Sequence, residues 1–371
     1  MIEINEILTS MGPKEASDVY LVVGAPALLR VNGVCVPVTE DKLTGNDTAE
    51  LIPFFMNPEQ VEKFKLQQEM NLAYSIPKVG RFRVNAFIQR GSVGFVIRMV
   101  KLALPSLEAL GIPPILKDLV MLKHGLVLIT GPTGTGKSTT LAAMVDHRNR
   151  EATGHILTVE DPIEFIHPHK KSIVTQREIG MDTHSYHDAL KNALRQAPDV
   201  VLIGEIRDPE AMQAALTFTE TGHLVLGTLH TPNANQTLDR IINFFPREMH
   251  QLLYMQLSLN LMGICSQRLI PSADGKGRRA AVEILASTPR IRDLIHKGEV
   301  TEIKGAMEEA TAEGCQTFDQ SLYNLFRDGA ITLDEALLNA ESANNLRLRI
   351  KMEDPKALGV ESPRLTLTRG R

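Results

Sequence analysis

From Leu126 onward, short apolar runs alternate with longer stretches of helical period. Leu126 to Thr130, Ile156 to Val159, Val200 to Ile203 and Leu224 to Thr228 are four such runs, each bounded by turn or polar residues. Residues 137–150, 185–196, 208–220 and 234–243, between or after them, read as helices. Apolar runs that alternate with helices predict a mainly parallel sheet covered on both faces. Beyond residue 243 the pattern predicts a helical C-terminus. Phe318, Leu322, Leu325 and Phe326 share one helix face, and Thr332-x-x-Glu335 has the form of a capping box opening the next helix.

The first hundred residues follow a different rhythm, that of a small α+β domain. Val19 to Val23 is a short apolar strand. Leu28 to Val31 and Val34 to Val38 flank Asn32-Gly33, a two-residue hairpin signal, because both turn positions need φ > 0. Residues 47–56 and 58–68 read as helices, the first capped by Asn46 or Asp47 and the second with Pro58 in its first turn. In Arg81 to Arg90, Phe82, Val84, Ala86 and Ile88 alternate onto one face and Arg81, Arg83 and Asn85 onto the other. Gly91 to Gly94 turns the chain, and Phe95 to Met99 returns it. The prolines of Leu104-Pro105 and Gly111-Ile112-Pro113-Pro114 place an interdomain linker at 101–114. The expected organisation is a domain over 1–100, a larger α/β domain over 115–352, and a polar, disordered tail over 353–371.

Composition narrows the class. At about 100–200 residues per domain, 371 residues suit two domains. The net charge is -4, Trp is absent and aromatics are 5%, whereas a nucleic-acid translocase needs a basic channel or an aromatic stacking platform. No nucleic-acid partner is expected. Cys35, Cys265 and Cys315 have the spacing of neither a disulfide framework nor a zinc site, and are expected as small buried apolar residues. Met1 to Thr9 lacks the basic start and apolar run of a signal peptide, and no segment approaches ~18 consecutive apolar residues. The expectation is a cytoplasmic protein with no direct membrane insertion.

The chemistry centres on Gly131-Pro132-Thr133-Gly134-Thr135-Gly136-Lys137-Ser138, with Thr139 following, which matches G-x-x-x-x-G-K-[ST]. Glycines let backbone N–H groups converge on phosphate oxygens. Lys137 is placed to reach the β and γ phosphates of ATP, and the Ser138 hydroxyl to ligate Mg²⁺. The motif follows a predicted buried strand and opens a predicted helix, the arrangement that favours anion binding. Such a site also needs carboxylates for magnesium and for the attacking water. Thr158 to Glu164 and Gly204 to Asp208 offer them just after predicted strands, where ligands sit in open α/β sheets. Glu205 and Glu164 are the candidates, with Glu205 also a metal ligand; their roles stay undivided at this level. Gly204 stands where a magnesium-binding aspartate is common. His223 and His230 bracket a third strand, and His230, at its C-terminal end, could sense the γ-phosphate. No histidine spacing suggests zinc.

Taken in order, Gly131 to Thr139, Thr158 to Glu164, Gly204 to Asp208 and Thr221-Gly222-His223 through His230 resemble the Walker A, Asp-box, Walker B and His-box motifs of the secretion-superfamily ATPases. Over roughly residues 1–350 the chain is similar to the pilus retraction branch, the PilT and PilU group. Ala16-Ser17-Asp18-Val19-Tyr20-Leu21 looks like a family signature that usually carries His where Tyr20 stands, and Gly80-Arg81-Phe82-Arg83-Val84-Asn85 also matches. The resemblance implies a PAS-like N-terminal domain, a RecA-like P-loop domain and a homohexameric ring. It further implies ATP held between the domains, with Arg81, Arg83 and Arg98 as candidate arginine fingers. The four-cysteine insertion of assembly-type relatives is missing. The retraction signature A-I-R-N-L-I-R-E appears only as Arg290-Ile291-Arg292-Asp293-Leu294-Ile295-His296, which with the long helical C-terminus points to the PilU side. By resemblance, then, the chain is a motor for pilus retraction and twitching motility at the cytoplasmic face of the inner membrane. Its implied partners are a related retraction ATPase and the membrane platform protein; the alternatives are an accessory ring subunit or a RecA-like nucleic-acid translocase.

Overall fold

The computed structural model of the chain describes residues 3–100 and 104–353, so most of the tail expected to be disordered lies outside the described residues. The chain divides into two compact units. The first runs to Leu104 and also includes Pro162–Pro168 and Glu178–His184; the second takes the rest.

In the first unit, strands β1 (Ala16–Leu21), β2 (Leu28–Val31), β3 (Val34–Pro37), β4 (Glu69–Ile76), β5 (Gly80–Gln89) and β6 (Ser92–Met99) form one sheet in the order β3-β2-β1-β6-β5-β4. Every neighbouring pair is antiparallel. Asn32 and Gly33 close the β2–β3 hairpin with φ of 49° and 83°, as their sequence requires. Phe82, Val84 and Ala86 of β5 are buried with Val19, Leu21, Phe95 and Ile97 beneath Leu8 and Met11 of the helix Ile4–Met11. Ile88 departs from the predicted face: at the strand's end it is 37% exposed.

Three further local expectations are corrected here. The helix expected over 47–56 starts earlier and breaks. Thr44, not Asn46 or Asp47, is its cap, accepting from the Asp47 N–H while the Asp47 carboxylate accepts from the Thr44 N–H. Pro53 lacks an N–H, so the chain stops at Ala49 and restarts as a short helix, Ile52–Phe55. Cys35 lies exposed on the edge strand β3, while Cys265 and Cys315 are buried.

The second unit is built on β7 (Gly125–Thr130), β8 (Gly154–Glu160), β9 (Ser172–Glu178), β10 (Val200–Ile203), β11 (Leu224–Leu229), β12 (Leu261–Pro271) and β13 (Arg278–Ala286), in the order β13-β12-β7-β11-β10-β8-β9. The run β12, β7, β11, β10, β8 is parallel, and β13 is antiparallel to β12. Every residue of β7, β10 and β11 is buried, because helices cover both faces. Lys137–Glu151, Pro209–Glu220 and Ala234–Ile242 supply three of them. All parallel strands point the same way, so the loops after β7, β8, β10 and β11 gather at one edge. The C-terminal part expected to be helical also contains the β12–β13 hairpin. Ser266, Gln267 and Arg268 in the middle of β12 interrupt its apolar pattern and hide the strand.

One buried row crosses three of these strands. Thr130, Ser266 and Glu283 are partners in register on β7, β12 and β13. Thr130 Oγ1 donates to Ser266 Oγ at 2.9 Å, Ser266 hydrogen-bonds the Glu283 carboxyl, and Glu283 Oε2 accepts from the Ala234 N–H at 2.6 Å. Burial pushes the Glu283 carboxyl up to about 7; the Ala234 N–H opposes this and the charge of Glu341 adds to it. A carboxyl whose folded-state value is raised keeps its full stabilising contribution below its ordinary value of 4.5 and loses it as pH rises toward 7. Glu283→Gln removes that slope. Melting temperatures taken from acid to pH 8 should therefore show the variant gaining on wild type as pH rises; parallel curves would refute the assignment.

Candidate nucleotide site

The phosphate-loop motif sits where β7 ends and the helix Lys137–Glu151 begins. Gly131, Gly134 and Gly136 have φ of 142°, 80° and 89°, a region that favours glycine. Gly131 is also a close approach. A β-carbon there would stand 2.5 Å from the Gln267 carbonyl oxygen and 2.8 Å from Thr135 Oγ1. Gln267, 3% exposed, braces the loop from β12, its Oε1 accepting from Thr140 Oγ1 at 2.8 Å.

Lys137 is 8% exposed. Its Nζ donates to the carbonyls of Gly131 (2.8 Å) and Pro132 (3.1 Å) and reaches His230 Nδ1 at 3.3 Å. On the other side of the ring, His230 Nε2 lies 3.0 Å from Glu205 Oε1. An ammonium has no lone pair, so Nδ1 must accept and the ring proton sits on Nε2, donating to the carboxylate. Glu205 Oε2 pairs with Arg207 at 2.6 Å. Burial raises the Glu205 carboxyl, but Arg207 and His230 outweigh it and the net shift is downward. The carboxylate thus stays ionised although its side chain is only 18% exposed.

The backbone around Glu205 is pinned from both neighbouring strands. Gly204 N donates to the Val159 carbonyl at 2.8 Å, Thr228 Oγ1 donates to the Gly204 carbonyl at 2.6 Å, and Ile206 N donates to the Thr228 carbonyl at 2.9 Å. A β-carbon on Gly204 would stand 3.1 Å from Glu160 Cα, from the Val159 carbonyl oxygen and from Tyr186 Oη. The aspartate common at this position would crowd the backbone of β8 and the Tyr186 hydroxyl. Burial, and next the charge of Asp161, push that hydroxyl's pKa upward. A groove of about 660 Å³ opens beside Glu205, Arg207 and His230 and continues along Gln236, Asp239 and Arg240.

Glu164, Arg81, Arg83 and Arg98 belong to the first unit. Glu164 is exposed. Its neighbour Ile163 is held there at both backbone atoms: the N–H donates to Glu178 Oε2 at 3.3 Å and the carbonyl accepts from Arg83 at 2.9 Å. Arg81 lies 3.8 Å from the same Glu178 carboxylate. Arg98 Nε bonds Asp18 Oδ1 at 2.7 Å, with the rest of its side chain exposed. His223 immediately precedes β11, about 20 Å along the chain from His230. Its Nδ1 meets the Phe218 carbonyl and Thr221 Oγ1, both at 3.0 Å, so it closes a helix end. Ser138 and Thr139 are half-buried at the start of the helix. Arg207, Gln267 and Tyr186 were not expected from the sequence; the adjacent polar pair Ser266-Gln267 inside an apolar strand is the one local signal for the second of them.

The fold and loop define a P-loop nucleoside triphosphatase of the RecA-like α/β class. The chain belongs to the type II/IV secretion system protein family, whose model matches residues 1–354. It is 52% identical over 351 residues to the type IV pilus ATPase PilU of Pseudomonas aeruginosa, covering 95% of this chain and 92% of the relative. It is 42% identical over 344 residues to the retraction ATPase PilT of the same organism, covering 93% and 100%. The crystal structure of the pilus retraction motor PilT with bound ADP superposes with a TM-score of 0.87 at 41% identity, over 94% of this chain and all of that one. The Legionella pneumophila ATPase DotB follows at 0.78 and 27%, over 90% and 94%. No helix among the described residues is long and apolar enough to cross a membrane.

The loop geometry separates two glycines. Gly131→Ala must displace the Gln267 backbone and should cost about 3 kcal/mol or more, whereas Gly134→Ala meets open space and should cost about 1 kcal/mol. Denaturant unfolding of the two variants measures the difference; equal losses would contradict the packing described.

Proposed function

We propose that this protein is an ATP-hydrolysing motor of type IV pilus retraction, the activity behind twitching motility. The observation that carries the reading is the continuous link Lys137–His230–Glu205, which joins the phosphate loop to an ionised carboxylate through one imidazole. The similarity to named pilus ATPases supports the biological setting.

ATP would be bound by the backbone amides of Gly131 to Thr139, with Lys137 exchanging its loop carbonyls for β and γ phosphate oxygens. That exchange releases His230 Nδ1, while Nε2–H continues to hold Glu205. Glu205 then orients the water that attacks the γ-phosphate in line, and Lys137 stabilises the charge that develops. Glu164 shares the task of water orientation, and Arg81, Arg83 and Arg98 act as arginine fingers across a homohexameric ring.

The residues fit a magnesium ion. Ser138 Oγ and Glu205 offer hard oxygen donors, and Glu205 is kept ionised. No cluster of three His, Cys, Asp or Glu ligands exists among the described residues, as suits a Mg²⁺ held largely by substrate phosphates. When bound, it neutralises charge on the phosphate oxygens. The ring would work at the cytoplasmic face of the inner membrane, with a related retraction ATPase and the platform protein as partners.

Lys137→Ala should lower turnover by about a hundredfold or more, since the group that meets the transferring phosphoryl is lost. Partner binding, measured separately by co-purification, should survive. A variant that hydrolyses ATP at the wild-type rate would reject the motor reading; a wild type without turnover that still binds its partner would favour an accessory subunit. Arginine fingers supplied in trans also require assembly, so the specific rate should fall on dilution of the ring. A rate independent of concentration down to monomer would exclude them.

A further inference from the structure

The segment 230–233 connects β11 to the helix Ala234–Ile242 and carries His230. Both its ends are tied to the buried row described above. Leu229, immediately before His230, pairs in register with Thr130 on β7. Ala234, immediately after the segment, donates its N–H to Glu283 on β13 at 2.6 Å. The in-register set Leu229, Thr130, Ser266 and Glu283 therefore runs across β11, β7, β12 and β13.

The segment is only four residues long, with bends at Pro232 and Asn233, and both its ends are held, so where Ala234 is anchored limits how far the chain carrying His230 can shift. The anchor is one carboxyl. It is 3% exposed, it receives the helix's first N–H, and it hydrogen-bonds Ser266, which Thr130 in turn ties to the strand just before Gly131. Thr231 Oγ1 and Thr237 Oγ1, 2.6 Å apart, close the same corner from the helix side.

We propose that Glu283 is a positioning residue for hydrolysis, holding the 230–233 segment so that His230 keeps its place between Lys137 and Glu205. It acts through Ala234 on one side and through Ser266 and Thr130 on the other, making the base of the phosphate loop and the histidine segment one mechanical piece. The proposal rests on the ATPase reading: a wild type without turnover would reject that reading, while a wild type with normal turnover leaves Glu283 to be judged alone.

The test is a double-mutant cycle on steady-state ATPase kinetics, with Glu283→Ala, Glu283→Gln and Ser266→Ala made alone and in a His230→Gln background. Glu283→Ala should lower kcat by about tenfold while KM for ATP stays within about twofold, since orientation is lost and not phosphate binding. Glu283→Gln, whose amide oxygen still accepts from Ala234, should recover kcat to within about threefold of wild type. In the His230→Gln background, Glu283→Ala should change kcat by less than about twofold, because the residue it serves is already gone. If Glu283→Ala fails to fold, Ser266→Ala leaves the Ala234 bond intact and should still lower kcat in a way that His230→Gln absorbs. An unchanged kcat, or losses that multiply fully with those of His230→Gln, would overturn the proposal and leave Glu283 a purely structural residue.

Discussion

A buried ammonium must find acceptors, and where Lys137 finds them organises the edge of the second unit that carries Glu205 and His230. Two are carbonyls of its own loop, which keep Gly131 and Pro132 turned inward. The third is His230. Because a lysine can only donate, this contact fixes the imidazole tautomer and therefore the donor offered to Glu205. A phosphate that draws Lys137 away changes the environment of His230 in the same step. On the proposed reading, phosphate binding at Lys137 would thus be coupled to the Glu205 carboxylate through a single ring.

The sheet makes that coupling possible. Parallel strands carry β7, β10 and β11 to a common edge, so Gly131, Glu205 and His230 meet although 99 residues of chain separate the first from the last. Hydrogen bonds between adjacent strands then set the fine placement. Val159 and Thr228 hold the backbone on both sides of Glu205, and Gln267 holds the loop from the opposite side. Gly204 suits this arrangement by its size: a larger side chain would crowd the Glu160 backbone and the Tyr186 hydroxyl.

Much of this was legible in the chain itself. The fully buried strands stood out because burial on both faces leaves them continuously apolar, and the phosphate loop stood out because glycine spacing there answers to a ligand. Lys137, Glu205 and His230 were readable as candidates, since each follows a strand at its C-terminal end. Their mutual contacts were not, because distances between loops depend on strand order, which local periodicity does not encode. β12 and β13 were hidden for a related reason. Ser266, Gln267 and Glu283 are polar residues satisfied only by partners far along the chain, so the strands that bear them do not look buried. The edge strand β4 was missed because only Leu72 among its residues is fully buried. Gly204 read as a gap in a motif until the packing around it gave it a reason.

The most direct test of this account is a structure of the protein with a non-hydrolysable ATP analogue and Mg²⁺, compared with the nucleotide-free protein. The account predicts Lys137 Nζ on β and γ phosphate oxygens, its bond to His230 Nδ1 broken, and the His230 Nε2 to Glu205 bond retained near 3.0 Å. Lys137 still bound to the Gly131 and Pro132 carbonyls, or Glu205 released from His230 while Lys137 keeps the ring, would contradict it.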